Sequence, residues 1–278
     1  SMEFGQSGYD LFFLGNLGLQ DPTVFDNTGT LTLGNSTADT FTFSGPDGGN
    51  GLVENTTGTV TVIGTIRGAN NDSISFGDIT LSGDTIFDTN ATSNAADLTI
   101  GAITGGSNNL TLSTGNNIAG ADITASGNIS GVTTLTLADV GGTATFAGDV
   151  DVTTLVVGNT VANVALNGNG STITNAISFA NDGTLVLGNA SDDTLTFNGG
   201  LTTTSVGGTV TLNGEIETSN DAIVLGAVTL GSATTIDTDA SDTTGDITIG
   251  AVTGGSNSLT LSTGDNVANT DITASGAI

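Results

Sequence analysis

The feature that most constrains this chain is that it repeats itself on two scales. The long repeat is close to an identity. DLTIGAITGGSN at 97–108 returns as DITIGAVTGGSN at 246–257, and LTLSTGNNIAGADITASG from Leu110 to Gly127 returns as LTLSTGDNVANTDITASG from Leu259 to Gly276. The offset is 149 residues. Upstream, GTLTLGN at 29–35 returns as GTLVLGN at 183–189, at an offset of 154. The difference falls after Phe43, where the first copy carries extra residues around Pro46 to Glu54. Within the match, Ile exchanges with Val or Leu, which preserves a packed interior, and Asn exchanges with Asp, which preserves a turn.

The short scale gives the local structure. The triads Val60-Thr61-Val62, Ile79-Thr80-Leu81 and Leu98-Thr99-Ile100 start 19 residues apart, and Val210-Thr211-Leu212, Val228-Thr229-Leu230 and Ile247-Thr248-Ile249 start 18 and 19 apart. Alternation of period two puts the aliphatic residues on one face of a strand and Thr on the other. Val, Ile and Thr favour this state because a branched Cβ packs well on a pleated surface. Short strands recurring with Gly, Asn and Asp punctuation predict an all-β chain: a parallel β-helix, or β-solenoid, with coils of about 20 residues. Repeated β-sandwiches are the rival architecture, but they predict turns every 8–12 residues without near-identical long units. Phe41, Phe43, Phe76, Phe87, Phe146, Phe179 and Phe197 are expected in the inward stacks, and Asn and Asp at the corners, where they tolerate left-handed backbone.

Composition narrows the chemistry. The chain has one Arg and no Lys, His, Cys or Trp, against 28 acidic residues, for a net charge of −27. This inventory excludes a classical His/Cys zinc site, a Ser-His-Asp triad, a thiol nucleophile and a disulfide. It also excludes a P-loop lysine and phosphate neutralisation of the kind nucleic-acid binding requires. Low charge density, 10% of residues, and a mean hydropathy of +0.19 argue against disorder. No apolar run is long enough to span a membrane. Along the chain, 1–5 reads as a cloning remnant, 6–26 as an N-terminal cap or docking segment, 27–181 as the first long repeat and 182–278 as a truncated second one. The expectation is a fragment of a longer array.

GTLTLGN at 29–35, NLTLSTGNNI at 109–118 and DITASGNI at 122–129 resemble the filamentous-haemagglutinin-type repeats of large bacterial exoproteins and autotransporter passengers. The resemblance covers most of 27–278. It implies a right-handed parallel β-helix, export to the bacterial cell surface or medium, and a non-enzymatic role as a rigid stalk or adhesin. Its partners would be glycans, a host or neighbouring-cell surface, or further copies of the chain.

Two other functional classes are weighed on residues. A carbohydrate-active β-helix, such as a polysaccharide depolymerase, needs an acid–base pair or a basic proton abstractor. The pairs available are Asp149 with Asp151, Asp192 with Asp193, Glu215 with Glu217, and Asp237 with Asp239; the one base is Arg67, whose place in the second copy is taken by Glu217. That exchange reads as a solvated face, and no catalytic residue is assigned. A calcium-dependent surface-layer or biofilm-matrix protein would use hard oxygen ligands, for which Asp237, Asp239 and Asp242 are the candidates. Their counterparts at 88–94 hold one Asp and two Asn, so turn chemistry is the favoured reading and no cofactor is assigned.

Overall fold

A computed structural model describes residues 1–241, 245–264, 268 and 270–278. The described residues contain strands and turns but no helix. The strands pair in parallel, each with the strand one coil below and one coil above. The result is a β-solenoid of about 11 turns with coils about 24 residues apart.

Three faces build each turn. The first runs through Met2–Phe4, Thr23–Phe25, Asn50–Glu54, Ser73–Ser75 and Leu98–Ile100 and continues to Val252–Thr253. The second starts with Leu11–Phe13 and Leu31–Leu33, and the third with Leu17–Leu19 and Thr40–Ser44. Where two faces meet without a break, one long strand serves both, as in Val60–Ala69, Ile79–Asp88 and Val228–Asp237. A register shift inside each of Ile79–Asp88 and Val228–Asp237 marks the bend.

The coil is longer than the triad spacing implies because those spacings mix faces. Val60 stacks under Ile79, but Ile79 stacks under Ile103, whereas Leu98 stacks on Ile74. Likewise Val210 lies under Val228, but Ile247 lies over Ile223. The step between coils varies from Val210–Val228 at its shortest to Thr23–Leu52 at its longest, since loops at the corners take up the difference.

The same accounting fixes the long repeat. Leu98 is on the first face and its counterpart Ile247 on the third; Leu31 is on the second and its counterpart Leu185 on the first. The long repeat is therefore not a whole number of turns, and the second copy is rotated by one face relative to the first. Its interior survives this rotation. Phe25 and Phe43 meet edge to face at 6.2 Å, and their counterparts Phe179 and Phe197 do so at 6.4 Å.

Alternation delivers the core directly. In Leu98–Ile100 and Ile123–Ala125, the outer residues are buried and the central Thr exposed. All seven phenylalanines expected inside are buried. A buried aliphatic side chain contributes about 1.5–3 kcal/mol, and continuous columns of them run the length of the rod. Residues 2–19, expected as a remnant and a cap, form the first turn itself: Phe4 stacks on Phe25 at 5.1 Å and Phe13 contacts both rings.

Corners are held by Asx side chains reaching one coil onward. A carboxylate oxygen of Asp78 accepts from the Ala102 amide at 2.7 Å, Asp122 from Thr143 at 2.7 Å, Asp149 from Gly170 at 2.8 Å and Asp246 from Asp271 at 2.9 Å. Asn163 does the same for Thr184 at 2.8 Å. These bonds pair amides that the strands leave free where the chain turns. Asn70, Asn71, Asn90, Asn116, Asn117 and Asn220 adopt left-handed backbone there. Gly64 and Gly214, counterparts in the two copies, have φ of +92° and +67°, and a Cβ at either would meet a carbonyl oxygen of the coil below within 2.5 Å.

Candidate functional site

With the aliphatic residues inward, the outside of the rod is a set of Thr ladders. On the second face, Thr32, Thr61, Thr80, Thr104 and Ser130 stand in register, and on the first Ser75, Thr99, Thr124 and Thr145. Parallel strands space such rungs about 4.8 Å apart. Over these rungs the surface is polar, repetitive and uncharged; further along, the second-face row continues through Asp151, Thr172, Thr196, Glu217 and Asp237.

The paired acids are distributed along this surface, and four of the eight, Asp149, Asp151, Asp193 and Asp237, accept backbone amides. Asp149 accepts from Gly170 at 2.8 Å and Asp151 from Thr172 at 3.1 Å, each across one coil. Burial raises the Asp151 pKa above the usual carboxylate range and the neighbouring Asp149 charge adds to this, while the bonds from Thr172 oppose it. Asp193 is buried and takes the amides of Asn189 and Ala190 at 2.6 and 2.9 Å, as its counterpart Asp39 takes those of Asn35 and Ser36. Asp192 is exposed beside it.

Glu215 and Glu217 do share the outer face of Val210–Glu217, as their spacing predicts. Burial raises the Glu215 pKa, and the charges of Glu217 and Asp237 push it the same way. Parallel register sets Glu217 directly beside Asp237, and Glu217 accepts a 2.6 Å bond from the Thr196 hydroxyl.

Of the calcium candidates, Asp237 accepts from the amide of Asp239 at 2.9 Å, with Asp239 in left-handed backbone at φ 43°. Asp88 makes the same 2.8 Å bond to Asn90 in the first copy, so one turn is drawn twice with different side chains. Asp242 lies outside the described residues. Among the described residues, no group of three or more acidic side chains converges as a metal site would.

Arg67 occupies the rung that Glu217 occupies in the second copy. The row Thr42, Arg67, Asp88, Ser113 corresponds to Thr196, Glu217, Asp237, Ser262. Arg67 therefore meets Asp88 at 3.4 Å and donates to the Asn90 side-chain oxygen at 3.1 Å. Nothing in sequence spacing brings these three together; only the parallel register of neighbouring coils does.

Next to them the corner of the third face is hollowed. One concavity of about 630 Å³ is lined by Asp47, Ala69, Asn70, Asn71, Asn90 and Thr92. A second of about 510 Å³, across Ala69 and Asn70, reaches Thr42 and Gln20. A surface trough of about 580 Å³ lies around Asp151, between Thr133 and Thr172. Among the described residues, no helix is long and apolar enough to cross a membrane.

No protein-family model, no curated protein and no solved structure matches the chain.

Proposed function

We propose that this chain is a stalk segment of an exported bacterial surface protein of the filamentous-haemagglutinin or autotransporter type, in which the rod is the function and its flanks are adhesive. The observation that carries this is the uninterrupted interior: three aliphatic columns and three parallel ladders persist through about 11 turns, although the repeat that encodes them rotates by a face. Such a body is stiff, about 50 Å long at one strand spacing per turn, and almost free of trypsin sites because Arg67 is its one cation. Outside, in-register Thr rungs offer many equal weak contacts to glycans, cell surfaces or neighbouring rods, which add through multivalency rather than through one strong pocket. The charge of −27 keeps long repetitive surfaces apart in solution.

Beads coated with the chain test the adhesive half, using a panel of bacterial and host-cell surfaces. Adhesion rising more steeply than coating density supports it, and no adhesion at any density overturns it. Solution scattering tests the rod: a compact particle overturns it.

One observation favours a second reading, calcium-assisted assembly. Glu217 and Asp237 sit side by side on neighbouring coils, a pair of carboxylates rather than a closed site. A melting series in calcium against chelator, with ionic strength matched, decides; an unchanged melting temperature removes calcium from the account.

A further inference from the structure

The two long copies share their strand triads and interior ring contacts, so surface places where the first departs from the second can be compared directly. Three departures meet at one corner. The insertion around Pro46 to Glu54 brings Asp47 to the third-face hollow. Between Arg67 and Asn71 the first copy holds one residue more than the second holds between Glu217 and Asn220. Asn71 and Asn220 are structural counterparts, since each side-chain oxygen takes the amide and hydroxyl of one residue in the next coil: Thr92 for Asn71 and Ser241 for Asn220. The third departure is Arg67 in place of Glu217.

We propose that this corner is a saccharide-binding groove, taking a short stretch of a neutral glycan laid across the coils. This rests on the adhesive reading above and gives it a specific site. The two hollows share Ala69 and Asn70 in their linings and together reach from Gly18 to Asn90, which stand on four successive coils. That distance is about 14 Å at the strand spacing, room for about three sugar rings. The side-chain amides of Asn70 and Asn90 line the hollows and the Arg67 guanidinium bonds Asn90 beside them; these planar groups donate and accept in pairs and so match adjacent sugar hydroxyls. Arg67 is half-exposed and bonds Asp88 and Asn90 through one guanidinium nitrogen, so donors remain for the groove. Asp47 and Asp88 outweigh the single cation, and this selects neutral sugars over uronates.

The test is calorimetric titration of the whole chain with cello-, chito-, manno- and galacturono-oligosaccharides of three to six units. The expected result is saturable binding of a neutral series at one site per chain. Arg67→Glu, which restores the residue of the second copy and so keeps the fold by circular dichroism, is expected to weaken it at least tenfold, and Asn90→Ala to weaken it as well. Binding unchanged in both variants overturns the site, and tighter binding of the galacturonate series overturns the ligand class. If no oligosaccharide binds while coated beads still adhere, the groove falls and the adhesive stalk stands. If neither binds, both fall.

Discussion

A pair of isosteric substitutions probes the interior more finely than any truncation. Asn27 and Asn181 are counterparts, both fully buried at a corner. Each wedges its side-chain NH2 among three carbonyl oxygens: Tyr9, Gly29 and Thr30 for the first, Ala162, Gly183 and Thr184 for the second. The Asn27 carbonyl oxygen accepts from the Thr56 hydroxyl at 3.0 Å, whereas that of Asn181 has no partner. The reason is one residue. Thr56 corresponds to Val206, which has no hydroxyl to donate, and the following amides, Thr57 and Gly207, bond Asn27 and Asn181 alike. Leaving a buried acceptor unpaired costs about 1–3 kcal/mol, and a hydrogen bond gained contributes about 1 kcal/mol net. Val206→Thr is therefore expected to stabilise the protein by about 1 kcal/mol and Thr56→Val to destabilise it by about 1–3 kcal/mol, at nearly constant volume. At this chain length 1 kcal/mol moves the melting temperature by about 2 °C. Because solenoids open locally, amide exchange across 181–184 gives a second readout, slower in Val206→Thr. A destabilised Val206→Thr together with a neutral Thr56→Val would refute the reasoning.

Three other outcomes follow from the same geometry. Leu112→Ala, at a fully buried rung, is expected to cost about 2–5 kcal/mol in denaturant titration, while Thr111→Ala on the outer ladder stays within about 0.5 kcal/mol. Glu217→Arg re-creates beside Asp237 the pair that Arg67 makes with Asp88, and is expected to raise the melting temperature slightly at low salt and less at high salt. Glu215→Gln follows from linkage: a raised folded-state pKa means the ionised carboxylate opposes folding. The variant is thus more stable than the parent at neutral pH, by about 0.5 kcal/mol or less for so exposed a group. That advantage disappears as pH falls through the raised pKa to below the ordinary value of 4.5, and melts at pH 7 and pH 4 check it.

Much of the fold was legible in residues. The apolar-Thr-apolar triads are strands with Thr outward, the named phenylalanines are inside, and corner Asn residues are left-handed. What spacing did not carry is which face a strand joins. Leu98 follows Ile79 by the same 19 residues that separate Ile79 from Val60, yet it belongs to a different column, because corner loops vary in length and only backbone pairing fixes register. The rotation of the second copy was hidden for the same reason. The acids were read as surface charge and candidate pairs; the structure adds that many accept amides from a neighbouring coil, a contact about 21–27 residues away that no local motif encodes. Arg67 was singled out as the lone cation, but its meeting with Asp88 and Asn90 needed the coil register.

The central claim is three parallel columns rising by one strand spacing per turn, and it is open to direct measurement because the chain has no native cysteine. Spin labels at Thr99→Cys paired with Thr211→Cys, and at Thr99→Cys paired with Thr253→Cys, sit on one face five and seven turns apart. Pulsed dipolar spectroscopy is expected to give separations of about 24 and 34 Å, in that order, from a rise of about 4.8 Å per turn. Equal separations, or a shorter one for the pair more distant in sequence, would contradict the solenoid.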